Sequence, residues 1–149
     1  KIVSSSLIRN LIERGAIVEA NSLLERHYSL EARVVKGRGE GRKLGFPTVN
    51  LIPPDRLLPK FGVYAGYLNM KKERYLCAVN IGFGPTLKGK KKPLIEVHII
   101  NSDKAPEAGL RLFFLERIRA EKKFRSPQIL QSVIRKDVKY IASKYSTLP

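Results

Sequence analysis

The sequence predicts a mainly β protein: an antiparallel barrel or sandwich of about six strands, closed by a helix at its end. Three observations predict it. Between Glu31 and Ile118, run after run alternates with a period of two. The connections between these runs are short and rich in Gly, Pro and Lys, whereas a parallel crossover needs a dozen or more residues. One amphipathic stretch follows the last run. At 149 residues the chain suits one domain with a small appendage.

Taken in order, Lys1 to Leu30 reads as helical. Ser4 to Ser6 can cap a helix whose apolar face is Leu7, Ile8, Leu11 and Ile12. Gly15 breaks it, and a second short helix runs through Leu23 and Leu24. The strands read as EARVVK, TVNLI, GVYAGYLNM, RYLCAVNIG, PLIEVHII and LRLFFLERI. KGKKKP, Lys88 to Pro93, reads as an exposed hairpin tip. Ser126 caps the final helix, and Pro127 takes its first position, where a missing N–H costs nothing. Ile129, Leu130, Val133, Ile134, Val138 and Ile141 form one apolar stripe, expected to cover the barrel.

A net charge of +16 favours anionic partners, whether nucleic acid, a membrane surface or phosphorylated small molecules. One cysteine, Cys77 in the apolar run YLCAV, excludes an internal disulfide framework and points to a reducing compartment, hence the cytoplasm. Its expected place is the core. No apolar run approaches the length of a membrane span, and no signal peptide is seen.

The chemistry concentrates in GRGEGRKLGFPTVN, Gly37 to Asn50. Gly37, Gly39, Gly41 and Gly45 permit positive φ and a close backbone approach, and successive N–H groups there can form an anion cradle. Lys36, Arg38, Arg42 and Lys43 add positive charge. The run is neither a Walker loop nor a Rossmann fingerprint. By glycine content alone it reads as a hairpin loop. Pro47 fixes the backbone at the strand entry, and in an extended strand Thr48 and Asn50 point the same way. A hydroxyl and an amide oxygen side by side suit Mg²⁺, which keeps waters and phosphate oxygens as further ligands. The alternative is a pair bonding its own backbone. In LIEVHII, Glu96 is a lone carboxylate on a largely apolar strand, either a base facing a cleft or a solvent-facing side chain. His98 shares its face and reads as structural.

These residues carry a resemblance. From about Tyr28 to Tyr145 the chain resembles the riboflavin kinase module of bacterial bifunctional riboflavin kinase/FAD synthetases. The resemblance rests on G-x-G-R-K-L-G-F-P-T-V-N at 39–50, G-V-Y at 62–64, N-I-G-F-G-P-T at 80–86, I-E-V-H-I-I at 95–100, I-R-A-E-K-K-F at 118–124 and L-x-x-x-I-x-x-D at 130–137. It implies a six-stranded antiparallel Greek-key-type barrel with a long C-terminal helix. It implies transfer of phosphate from MgATP to the ribityl 5′-hydroxyl of riboflavin, giving ADP and FMN, with FMN or FAD as bound ligand. The Gly-rich run, with Arg42, Lys43, Phe46 and Pro47, would lie over the nucleotide phosphates. Thr48 and Asn50 would hold Mg²⁺ and the transferring phosphate, and Glu96 would take the hydroxyl proton. Arg119, expected in the loop before the last helix, would close over the flavin, where Phe124 stacks or packs. The family's acidic turn ending in Leu-Tyr-Gly is replaced by NSDKAPEAGLRL, with Ala108 at the tyrosine and Gly109 kept, which reads as a changed surface turn.

KIVSSSLIRNLIERG resembles the last motif of the adenylyltransferase domain of the same enzymes, with Ser4 to Ser6 and Arg9 matching. The expected division is therefore 1–27, the end of that domain plus linker helices, and 28–149, the kinase domain. The H-x-G-H motif of the adenylyltransferase is absent, so FAD synthesis is not expected from this chain. A nucleic-acid-binding barrel is the rival reading. The six tyrosines and six phenylalanines are scattered rather than set as a stacking platform, so neither nucleic acid nor membrane is expected as a partner.

Overall fold

In the computed structural model, residues 4–35, 45–54, 56–84, 89–106 and 109–147 are described. Two short helices come first, α1 (Ser5–Glu13) and α2 (Ile17–Leu24). Six strands follow: β1 (Ser29–Val35), β2 (Val49–Ile52), β3 (Gly62–Met70), β4 (Glu73–Phe83), β5 (Pro93–Ile99) and β6 (Leu110–Arg119). Helix α3 (Pro127–Lys144) ends the described fold. All strand pairs are antiparallel, and they close into a barrel in the order β1-β2-β5-β4-β3-β6. Residues 36–44, which contain Gly37, Gly39, Gly41, Arg42 and Lys43, lie outside the described residues, as does Ala108.

Alternation divides each strand between two environments. Leu51, Val79, Ile81, Ile95, Val97, Leu112 and Phe114 turn inward with Tyr64, Leu68 and Cys77, all fully or almost fully buried. Burial raises the Cys77 thiol well above its ordinary pKa, as suits a core residue. A second apolar cluster lies outside the barrel. There Ala65, Tyr67 and Leu115 meet Ile141 of α3, with Val138 and Ala142 packed alongside. Val138 and Ile141 of the α3 stripe thus cover the outer face as expected, whereas Ile129 is 47% exposed. Ser126 accepts from the Ile129 N–H at 3.2 Å, so the cap and Pro127 start the helix where the sequence puts it.

The front segment is bound to the barrel end. Ile17 joins the barrel core, and Asn21 donates to the Phe114 carbonyl at 2.8 Å while its amide oxygen accepts from the Tyr28 N–H at 2.7 Å. Gly15 ends α1 at φ +78°, and a Cβ there would run into the Arg117 side chain. The expected helical run through Leu30 stops earlier, because Ser29 and Leu30 already pair with Phe113 and Leu112. Lys90, Lys91 and Lys92 are exposed between β4 and β5, as a hairpin tip requires.

Candidate active site

Register brings the polar residues of the middle strands into one row. Asn50 of β2 stands opposite Glu96 of β5, and Glu96 stands opposite Asn80 of β4. Residues in register share a face. Their sequence neighbours Leu51, Ile95, Val97, Val79 and Ile81 all point inward, so this row faces out. Asn80 pairs with Val63 of β3, and Val63 pairs with Arg119 of β6, which continues the row toward α3.

Arg119 is the last residue of β6, not part of the following loop as the sequence suggested. The strand persists because its backbone still pairs with Val63. The β3–β6 register shifts twice, with Ala65 opposite Glu116 but Gly66 opposite Phe114, and Val63 opposite Arg119 but Tyr64 opposite Arg117. Each shift leaves one extra residue in β6, Leu115 and Ile118, as in a β-bulge. Simple alternation would put Arg119 on the same side as Arg117. The second bulge moves it to the side of Val63, facing the cleft.

That cleft, of ≈ 240 Å³, lies between the outer face of the barrel and α3. Glu96 and Asn80 line it from the sheet, and Phe46 and Thr48 from the entry to β2. Arg119 and Phe124 line its far side, with Leu130 and Ile134 of α3 behind them. Glu96, Thr48, Phe46, Arg119 and Phe124, assigned separately along the sequence, therefore share one cavity. Asn50 stands beside Glu96 in register but outside the lining. Pro47 and Gly45 are exposed at the rim, and Gly45 has φ +84° with open space where a Cβ would sit. Two larger surface hollows, ≈ 720 and ≈ 470 Å³, contain none of the expected site residues.

His98 gives the loop entry its position. Its Nδ1 lies 2.8 Å from the Pro47 carbonyl oxygen, and the Phe46 ring stands edge-on to the imidazole at 5.5 Å between centroids. A carbonyl only accepts, so Nδ1 carries the proton. The structural role expected of His98 is thus specific: it pins the backbone one residue before Thr48. On the opposite side the Arg119 guanidinium is bonded edge-on to Asp137 and lies 5.6 Å from the Phe124 ring centroid. The Glu121 carboxylate lies directly over Gly82 of β4, where any Cβ would overlap it. Sequence reasoning gave no role to Asn80, Glu121 or Asp137, although all three lie in the motifs that carry the resemblance. Asn80 was recoverable, because it alternates with inward Val79 and Ile81 in the otherwise apolar run from Leu76 to Phe83.

Among the described residues, no three His, Cys, Asp or Glu side chains cluster to hold a metal ion. The two oxygens expected to bind a metal, the Thr48 hydroxyl and the Asn50 amide, are neutral, and the Asn80 amide and Glu96 carboxylate stand in the same row. A neutral, incomplete pair fits a hard cation that retains waters and phosphate oxygens rather than one held in an all-protein cage.

Fold and cleft together define a class: a small closed antiparallel barrel with a candidate site outside the barrel, beneath a covering helix. The chain belongs to the riboflavin kinase family, whose Flavokinase (riboflavin kinase) domain it matches over residues 24–145. It is 34% identical over 152 residues to a bifunctional riboflavin kinase/FMN adenylyltransferase of Bacillus subtilis, covering 99% of this chain and 48% of that protein. It is 33% identical over 139 residues to the Escherichia coli protein of the same description, covering 91% of this chain and 44% of that one. The chain spans about half the length of the curated relatives it matches. A solved structure described as a macrolide-efflux protein from Streptococcus pneumoniae superposes with TM-score 0.84 at 30% identity, covering 92% of this chain and 45% of that one. Riboflavin kinase from Trypanosoma brucei shares the fold, with TM-score 0.56 at 24% identity over 80% of each chain. Among the described residues no helix is long and apolar enough to cross a membrane.

Proposed function

We propose that this chain phosphorylates riboflavin at its ribityl 5′-hydroxyl, with ATP as donor and Mg²⁺ as the metal, giving FMN and ADP. The observation that carries the reading is Glu96, set between Asn50 and Asn80 in register and lining the cleft beside Thr48. Membership of the riboflavin kinase family supplies the substrate class.

In this reading Glu96 accepts the hydroxyl proton as the ribityl oxygen attacks the γ-phosphorus and ADP leaves. Thr48 and Asn50 contribute oxygen ligands to the metal. When bound, Mg²⁺ neutralises charge on the phosphate oxygens. His98 keeps Thr48 in position through Pro47. Phe46, Leu130 and Ile134 make the cleft apolar enough to exclude water from the transferring group. The Gly-rich run at 37–45, with Arg42 and Lys43, is proposed to bind the nucleotide phosphates. Catalysis then rests on positioning and charge neutralisation more than on covalent chemistry. We also divide the chain at 27/28, the front part being the end of a preceding adenylyltransferase domain with its linker helices. The length of the relatives and the family match starting at residue 24 support that division.

Conversion of riboflavin to FMN with MgATP, read by chromatography, tests the reading. FMN forming with Mg²⁺ and not with EDTA supports it. No FMN and no binding of either riboflavin or ADP by the folded chain overturns it.

A further inference from the structure

Asp137 is the one buried charged side chain among the described residues, 7% exposed, and no step above uses it. It projects from α3 into the cleft wall and holds Arg119 from the end of β6. Arg119 Nε lies 3.0 Å from Oδ2 and 3.3 Å from Oδ1, and Nη2 lies 2.9 Å from Oδ2. Nη1 donates to the Ala120 carbonyl at 3.2 Å. The guanidinium edge formed by Nε and Nη2 is therefore filled by the carboxylate. The guanidinium is thereby held in one plane, only 22% exposed in its side chain, with its central carbon over the Phe124 ring.

We infer that Asp137 is a positioning residue for the flavin: it fixes the Arg119 guanidinium as a planar wall against the isoalloxazine ring by holding its Nε/Nη2 edge. The inference rests on the riboflavin kinase reading and names the part of the substrate this wall meets. A delocalised planar cation stacks well on an aromatic ring, whereas a lysine ammonium offers a point charge with no plane. Burial makes the arrangement strict. A carboxylate taken out of water must keep its partner, so the ion pair locks both side chains and joins α3 to the strand that bears Arg119. Helix position thereby sets the width of the cleft for a ring.

The test uses the whole chain, with riboflavin and MgADP as separate probes followed by calorimetry or flavin fluorescence. Asp137→Asn removes the charge but keeps the shape. Arg119→Lys keeps an ion pair for Asp137 but removes the plane. Each is expected to weaken riboflavin binding roughly tenfold, the scale of one lost charge-assisted bond, with MgADP affinity within about twofold of wild type. The double variant is expected to be little worse than either single one, because both remove the same wall. Riboflavin affinity unchanged in Arg119→Lys, with only the melting temperature altered, would reduce the pair to a structural clamp. MgADP affinity falling in step with riboflavin would make Arg119 a phosphate ligand instead. Should Asp137→Asn fail to fold, Arg119→Lys decides alone. A folded wild type that binds no riboflavin at all would sink the kinase reading itself, which separates that failure from this one.

Discussion

The two faces of β4 and β5 differ by one residue step and do opposite work. Inward, Val79, Ile81, Ile95 and Val97 are buried and carry no polar atom in their side chains. Outward, Asn80, Glu96 and His98 are half-buried, polar and aimed at the cleft. The inner face binds the barrel by apolar burial, and the outer face is held in geometry by the inner one. Chemistry on a rigid sheet can thus change without the core noticing, which is how one barrel presents a carboxylate between two amides at fixed spacing. A slip of one residue would exchange the two faces and destroy both roles.

The comparison breaks most visibly at adjacent positions 96 and 95. Glu96→Gln is expected to lower turnover by about 10²–10⁴-fold, the range for a lost general base, with an unchanged melting temperature. Turnover like wild type would remove Glu96 as the base. Next door, Ile95→Ala should cost about 2–5 kcal/mol of unfolding free energy, measured in denaturant, while the activity of the folded fraction stays near wild type. If Ile95→Ala were as stable as wild type, the inner face would not be the seat of stability.

Smaller effects sharpen the contrast. Asn50→Ala should weaken MgADP binding by about tenfold, or ~1.4 kcal/mol, and leave ADP binding without metal unchanged. Equal losses with and without Mg²⁺ would take Asn50 out of the metal site. The smallest effect lies where α3 meets the outer face. Glu116 accepts from Lys144 at 2.8 Å, Tyr145 at 2.7 Å and Tyr140 at 2.9 Å. Burial pushes its carboxyl up, but these three bonds outweigh burial and hold its pKa below the ordinary 4.5. A depressed carboxylate pKa stabilises the fold above the unfolded value, and that stability is lost as pH falls through the folded one. Glu116→Gln should therefore cost about 1 kcal/mol at neutral pH and flatten the loss of stability below about pH 4.5, seen in pH-dependent melting. A wild-type acid slope in this variant would mean that other carboxylates govern it.

Much of this was legible in the residues. Period-two alternation located all six strands within a residue or two, and Ser126-Pro127 located the start of α3. The loop motif, Glu96 and the terminal helix carried the family resemblance, and the Flavokinase match over 24–145 agrees with it. Less was legible wherever two distant segments had to meet. Asn80 gained meaning only opposite Glu96, and Asp137 only against Arg119. Arg119 was misplaced because a bulge leaves no sign in local periodicity. It arises where β6 must pair with β3 and still follow the curve of the barrel.

By itself the sequence determined which residues are apolar at which period, where helices begin, and which family the motifs resemble. Those properties are local, since backbone sterics, capping bonds and alternation act over a few residues. Tertiary structure decided which outward residues share a row, which side of the sheet Arg119 faces, and that a helix carboxylate fills its fork. These depend on register between strands far apart in the chain. Register is set by closure of the barrel and burial of its inner face, not by any short stretch of sequence.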